Sequence, residues 1–228
     1  MVDERLTYGY RRLTALVNRK LRHDGKPTVN AKRVLRIMQR NPSASHPVLL
    51  RRPGTLACSA LTLQRHSGLP SPRTHDGKII VLASNPRWSA CDRQIIAWSA
   101  VADAGVSGEM VRDLMIAAVE RRFGTARAPH TVEWLSDNGS AYTAKPTAET
   151  AAALGLTLLF TPVRSPESNG MSESFVKTLK RDYARVTILP DAAAILANLP
   201  DSIEDYCEVH PHSGLKFRSP REFMRLSA

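Results

Sequence analysis

From residue 76 onward the chain alternates apolar runs of strand length with apolar stripes of helical period, and this alternation restricts its fold more than any other feature. Ile79-Ile80-Val81-Leu82 follows a turn at Asp76-Gly77, and Ile95-Ile96-Ala97-Trp98 is a second short run. Ser107 then caps a helix whose inner stripe is Val111, Leu114, Met115 and Ala118, and Gly124 ends it. Val132 to Leu135 reads as a strand that leads into the tight turn Asp137-Asn138-Gly139. A helix over Thr147 to Leu154 stops at Gly155, and Leu156 to Phe160 is a strand of the buried type. Helices over roughly 170–186 and 191–207 complete the pattern. Strands alternating with helices predict an α/β domain with a partly parallel sheet.

Upstream the pattern differs. Tyr10, Leu13, Val17 and Leu21 recur at helical spacing, and His23-Asp24-Gly25-Lys26-Pro27 breaks that helix. Asn30 is a good N-cap for a second helix with the stripe Ala31, Val34, Leu35 and Met38. Lys32, Arg33, Arg36 and Arg40 face away from the stripe, so residues 1–40 form a basic helical unit. A helix-turn-helix on DNA and an ordinary helical hairpin with basic solvent faces both satisfy this pattern. Residues 41–75 carry Pro42, Pro47, Pro53, Pro70 and Pro72 in a Ser- and Arg-rich stretch, which predicts a linker with a short helix near Leu61 to Arg65. Residues 76–228 are the α/β core with its C-terminal helices.

Thirty-two Lys and Arg against 21 Asp and Glu give a formal charge of +11. Such a balance fits a polyanionic partner, because neutralising phosphates releases counterions. A basic protein with solvated Lys and Arg faces has the same composition. Cys58, Cys91 and Cys207 are odd in number and widely spaced, without a CxxC, so neither a zinc site nor a disulfide framework is indicated. No apolar signal core opens the chain and no apolar run approaches a membrane span, so a reducing cytoplasm is expected.

Asp137 falls at the carboxyl end of a strand, where open α/β sheets bind ligands. Glu173 lies on the following helix, on one face with Lys177 and Lys180 and beside the stripe Val176, Leu179 and Tyr183. Carboxylates beside ammonium groups suit a divalent ion held against a phosphate backbone. In-line displacement at a phosphodiester uses two hard cations about 3.5–4 Å apart, with oxygen ligands and exchangeable waters. Two such ions need at least three converging carboxylates. Thirty-five residues separate Asp137 from Glu173, a spacing that some pair among 21 acidic residues meets by chance.

The wording around the pair is more specific. Trp134-Leu135-Ser136-Asp137-Asn138-Gly139-Ser140, Thr161-Pro162-Val163-Arg164-Ser165-Pro166-Glu167-Ser168-Asn169-Gly170 and Glu173-Ser174-Phe175-Val176-Lys177-Thr178-Leu179-Lys180 closely resemble the D…D-x35-E integrase core of insertion-sequence transposases. The likeness is to the class whose enzyme is made from two overlapping reading frames (OrfB-type). Tyr8-Gly9-Tyr10-Arg11-Arg12 and Val29-Asn30-Ala31-Lys32-Arg33-Val34 are similar to its helix-turn-helix. Tyr206-Cys207-Glu208-Val209-His210-Pro211-His212 with Arg218-Ser219-Pro220-Arg221-Glu222-Phe223 is similar to its C-terminal signature, with Cys207 where Asn is usual. His210 and His212 read as structural or DNA-proximal.

The resemblance implies an RNase H-like mixed sheet flanked by helices, preceded by a helix-turn-helix. It implies DNA cleavage and strand transfer at insertion-sequence ends, with terminal-repeat and target DNA as partners and a homo-oligomer as assembly. It also implies Mg²⁺ or Mn²⁺ bound by Asp137 and Glu173, and DNA contacts from Lys180, Lys177, Arg33 and Arg36.

The chain departs from that pattern at one join. In the family a strand hairpin carrying the first catalytic Asp lies between an Arg-Trp segment and a Cys-Asp-Arg segment. Here Asn85-Pro86-Arg87-Trp88-Ser89 runs straight into Ala90-Cys91-Asp92-Arg93-Gln94. The first strand hairpin is therefore expected to be deleted, leaving a partial sheet or one repaired by segment 78–84. Asp76 and Asp92 are poor substitutes, since the first lies in a turn ahead of a strand and the second belongs by register to a later strand. Catalysis is expected to be impaired. The alternatives are a non-catalytic DNA-binding remnant that occupies transposon ends, or a product without function.

Overall fold

The computed structural model describes residues 5, 7–40, 60–63, 79–84, 92–102, 105–136, 138–161, 170–184 and 192–227. They form two compact units, one from Leu56–Lys177 with Leu189–Pro200, the other from Met1–Thr55, Thr178–Ile188 and Asp201–Ala228.

In the first unit β1 (Ala60–Leu63), β2 (Ile79–Ser84) and β3 (Ala97–Ala102) form an antiparallel sheet in that order. Ile79 pairs with Leu63 on one side and with Ala102 on the other, so β2 is the central strand. Within segment 78–84, Ile79–Ser84 pairs with β3 along its whole length. Of the short helix expected near Leu61 to Arg65, the described part, Leu61 to Leu63, is not helical. The Ala-Leu-Thr-Leu run is instead extended, because β2 offers it a ladder of backbone bonds, and a few residues of helix would offer no comparable tertiary pairing.

α3 (Gly108–Phe123) covers this layer. Its N-cap Ser107 accepts a hydrogen bond from the Met110 N–H at 3.1 Å, and Gly124 closes it with φ 68°, a conformation that only glycine adopts cheaply. Val111, Leu114, Met115, Ala118 and Val119 are its buried face. β4 (Val132–Ser136) and β5 (Leu156–Phe160) pair in parallel, in register Val132↔Leu156 to Ser136↔Phe160. α4 (Ser140–Thr143) and α5 (Lys145–Ala153) form the crossover that a parallel pair requires. Ala97 of β3, Met115 of α3, Trp134 of β4, Tyr142 of α4, Ala151 of α5 and Leu156 of β5 share one core. The expected α/β class and partly parallel pairing are thus present.

α6 (Gly170–Leu179) buries Phe175 and Leu179. The sequence predicts an unbroken helix to residue 186, but after Leu179 the backbone widens into a π turn, Lys180–Ala184. α7 (Ala192–Glu208) contains Pro200, which removes one helical hydrogen bond, and the two units divide the helix after that residue.

In the second unit α1 (Tyr10–His23) and α2 (Ala31–Arg40) pack through Leu13, Leu16, Val34 and Met38, with Tyr8 and Val209 completing the cluster. The Asn30 side chain accepts from the Lys32 N–H at 2.9 Å, the expected cap. A short 3₁₀ turn, Ser213–Leu215, and α8 (Pro220–Ser227) follow α7. Arg19 donates to the Val209 carbonyl at 3.1 Å and to Glu222 at 2.5 Å, which ties α1 to this C-terminal segment.

A polar cluster holds the same elements together. Arg5 donates twice to Asp205, at 2.7 and 2.5 Å, and the Tyr183 hydroxyl donates to the same carboxylate at 2.7 Å. Asp182, its side chain 1% exposed, takes Arg12 at 3.3 Å and Arg181 at 2.5 Å. Tyr8 Oη lies 2.5 Å from His210 Nδ1, and Tyr206 stacks on the same ring with centroids 5.5 Å apart. Buried carboxylates are tolerable only when paired this closely, and losing one partner costs more than the pair itself contributes.

His210 is fully buried. Burial, reinforced by His212 and by Arg12, Arg181 and Arg5, pushes its pKa from 6.5 down to about 2. Between those values the unfolded chain binds a proton that the folded chain refuses. This group is therefore silent above about pH 6.5, and below it stability falls with pH by up to about 1.4 kcal/mol per unit.

Two outcomes are expected. Val81→Pro removes a backbone donor from the central strand and destabilises by about 1–3 kcal/mol for the unmade bond alone, measured by urea unfolding. His210→Asn keeps an acceptor near the Tyr8 hydroxyl but cannot titrate, so its unfolding free energy falls less steeply than the parent's between about pH 6.5 and 4.5.

Candidate nucleic-acid and metal site

The end of β4 is fixed by bonds to the end of β5. Thr161 N–H donates to the Ser136 carbonyl at 2.9 Å, and the Asn138 side chain donates to the Thr161 carbonyl at 2.7 Å. The turn after β4 is thereby anchored on both sides of Asp137, which itself lies outside the described residues. Glu173 is on α6 by its backbone, and its side chain also lies outside the described set.

Basic residues are placed more fully. Lys177 on α6 is exposed, and Lys180, first residue of the π turn, is half-buried. On α2 the side chains of Lys32, Arg33, Arg36 and Arg40 are all exposed, whereas Val34, Leu35 and Met38 are half-buried, the division that the helical period predicts. Lys177 belongs to the first unit, and Arg33, Arg36 and Lys180 to the second.

Asp92 is placed in full. It is 3% exposed, accepts from the Gln94 N–H at 2.9 Å and has Arg122 Nη2 at 3.8 Å. Burial pushes its carboxyl above the ordinary range, against the Gln94 bond and the attraction of Arg122. It is a turn carboxylate facing a guanidinium, an arrangement that disfavours a cation. Asp76 lies outside the described residues. Neither β1, Ala-Leu-Thr-Leu, nor β2, Ile-Ile-Val-Leu-Ala-Ser, contains an acidic residue. Among the described residues no three His, Cys, Asp or Glu side chains converge as a metal site, so those residues do not by themselves fit a divalent ion.

Sequence reasoning missed the cluster of Arg5, Arg12, Asp182, Tyr183, Asp205 and His210. Its pairs lie up to 200 residues apart, so no local period marks them as a cluster, although Arg12, Tyr183 and His210 each fall in a segment that the sequence singles out.

Residues 154–220 match the integrase core domain family. The transposase of insertion element IS2D from Escherichia coli (strain K12), InsD, is 43% identical over 250 positions, covering 100% of this chain and 77% of that protein. An insertion element IS136 protein of Agrobacterium fabrum is 54% identical over 187 positions, covering 73% of this chain and 96% of its own length. Among solved structures, the catalytic core domain of BIV integrase aligns with a TM-score of 0.46 and 17% identity, over 73% of this chain and 92% of that one. At these identities and coverages, the chain belongs to the insertion-element transposase family with an integrase-type core.

Proposed function

We propose that this transposase-family chain binds insertion-element DNA and does not complete strand transfer, because the first of three metal-binding carboxylates is missing. The observation that carries this reading is the composition of the sheet. β2, which partners β3, and β1 beyond it contain no acidic residue, and Asp92, a few residues ahead of β3, is buried against Arg122. Asp137 and Glu173 would remain as ligands for Mg²⁺ or Mn²⁺. Two carboxylates leave one of two ions without enough hard oxygen donors, and no step is derived through such a pair.

The length of the match supports a deletion. The alignment to the Escherichia coli transposase spans 250 positions for a chain of 228 residues, so at least 22 of them (250 − 228) have no counterpart here. That is room for a strand hairpin. The join Trp88-Ser89-Ala90-Cys91 is where the motifs place it.

DNA binding is the part of the function that the remaining residues support. The exposed basic face of α2 offers Arg33 and Arg36, the α6 region offers Lys177 and Lys180, and the chain carries a formal charge of +11. We read α1 and α2 as a helix-turn-helix and the protein as cytoplasmic. No described helix is long and apolar enough to cross a membrane.

The test is a strand-transfer assay with Mg²⁺ or Mn²⁺ on duplexes carrying the terminal inverted repeats of a related insertion element. No joined product is expected, whereas the same DNA should shift in a gel with affinity that falls steeply with salt. Strand transfer that Glu173→Gln abolishes would overturn the proposed loss of catalysis. Absence of any DNA binding at moderate salt would sink the binding reading.

A further inference from the structure

We propose that Asp182 is a positioning residue for DNA, holding the π turn so that Lys180 meets a phosphate. This rests on the reading of Lys180 as a DNA contact and deepens it.

The π turn Lys180–Ala184 is a costly backbone form, found mostly as single turns and often at functional sites. It persists only where the surroundings over-determine it. Here two consecutive residues of the turn are fixed from outside it. Asp182 is gripped from outside the turn by Arg12 of α1 at 3.3 Å and from within it by Arg181 at 2.5 Å, with its side chain 1% exposed. The Tyr183 hydroxyl is bonded at 2.7 Å to Asp205, itself held twice by Arg5. Lys180 lies two positions before Asp182 and is half-buried. A lysine with its stem partly covered has few rotamers left, so the path of the turn sets where its ammonium stands. The same bonds secure the turn to α1, which packs on the basic helix α2. Asp182 would thus weaken DNA binding by its charge yet strengthen it by its placement.

These opposed effects make the proposal testable. Asp182→Asn adds one unit of positive charge, so charge alone predicts tighter binding to a polyanion. Fluorescence anisotropy on the full chain, with a labelled duplex of random sequence, is read at several salt concentrations for Asp182→Asn, Lys180→Ala and the double variant. Positioning predicts that Asp182→Asn weakens binding by about the same factor as Lys180→Ala. Each should lower the salt slope by about 1, and the double variant should lose nothing further. Parent-like or tighter binding by Asp182→Asn, with Lys180→Ala weakened, overturns the inference alone, as do two losses that multiply. A silent Lys180→Ala overturns the underlying contact and this inference with it. Thermal melts show whether Asp182→Asn folds. If it does not, Tyr183→Phe, which removes only the hydroxyl bonded to Asp205, carries the same cycle. Unchanged binding by that variant overturns the inference, and a loss that vanishes in the Lys180→Ala background supports it.

Discussion

β3 must hydrogen-bond to a neighbouring strand, and everything above it in the first unit depends on that pairing being met. Ala97 of β3 is fully buried in the core beneath α3, which also includes Trp134 and Leu156 of the parallel pair. An unpaired β3 would leave backbone groups next to that core without partners, at a cost comparable to several lost hydrogen bonds. Ile79–Ser84 meets the demand over six consecutive positions, and its other edge takes Ala60–Leu63. A run of Ile, Val and Leu can serve this role because antiparallel pairing asks only for extended backbone and side chains that tolerate a pleated surface.

The second unit relies on a different interaction, with charge in place of apolar pairing. Asp182 and Asp205 are paired with Arg5, Arg12 and Arg181, the Tyr183 hydroxyl donates to Asp205, and the Tyr8 hydroxyl bonds to His210. Burial pushes the ionisation of both tyrosines far up, so they stay neutral hydroxyls throughout the physiological range. His210 is held neutral by the same burial and by the arginines. These three groups therefore keep one protonation state at neutral pH, which suits a set of bonds that joins segments far apart in the chain.

How much of this could be read from the sequence depended on the range of the forces involved. Ser107 and Gly124 bound α3 through local cap chemistry, and Val132 to Leu135 and Leu156 to Phe160 carry enough apolar character to be recognised alone. β1 was hidden because Ala60–Leu63 has no strand signature without Ile79–Leu82 beside it, and the flanking prolines suggested a linker. The π turn was hidden because the helical stripe continues through Tyr183, while bonds from Arg12 and Asp205 act across 170 and 22 residues. For the proposed site, spacing alone does not single out Asp137 and Glu173; the resemblance of the segments around them does. The basic face of α2 was legible because a helix fixes which side each residue occupies.

Fold and chemistry differ in how readily they can be rebuilt. A sheet accepts many apolar segments as a strand, since its selectivity lies in backbone hydrogen bonds and in burial. A metal-assisted phosphoryl transfer accepts one kind of group at one place, since hard cations need oxygen donors converging within a few tenths of an ångström. On the proposed deletion, the upstream segment supplies Ile, Val and Leu where the sheet requires any strand, but no carboxylate where the chemistry requires an Asp. DNA binding lies between these extremes. On the proposed reading it rests on several guanidinium and ammonium groups on α2 and around the π turn, whose contributions to counterion release are roughly independent. Such a function declines gradually as groups are lost, whereas catalysis stops with the first. A chain altered in this way would therefore keep its fold and its affinity for DNA after it had lost its reaction.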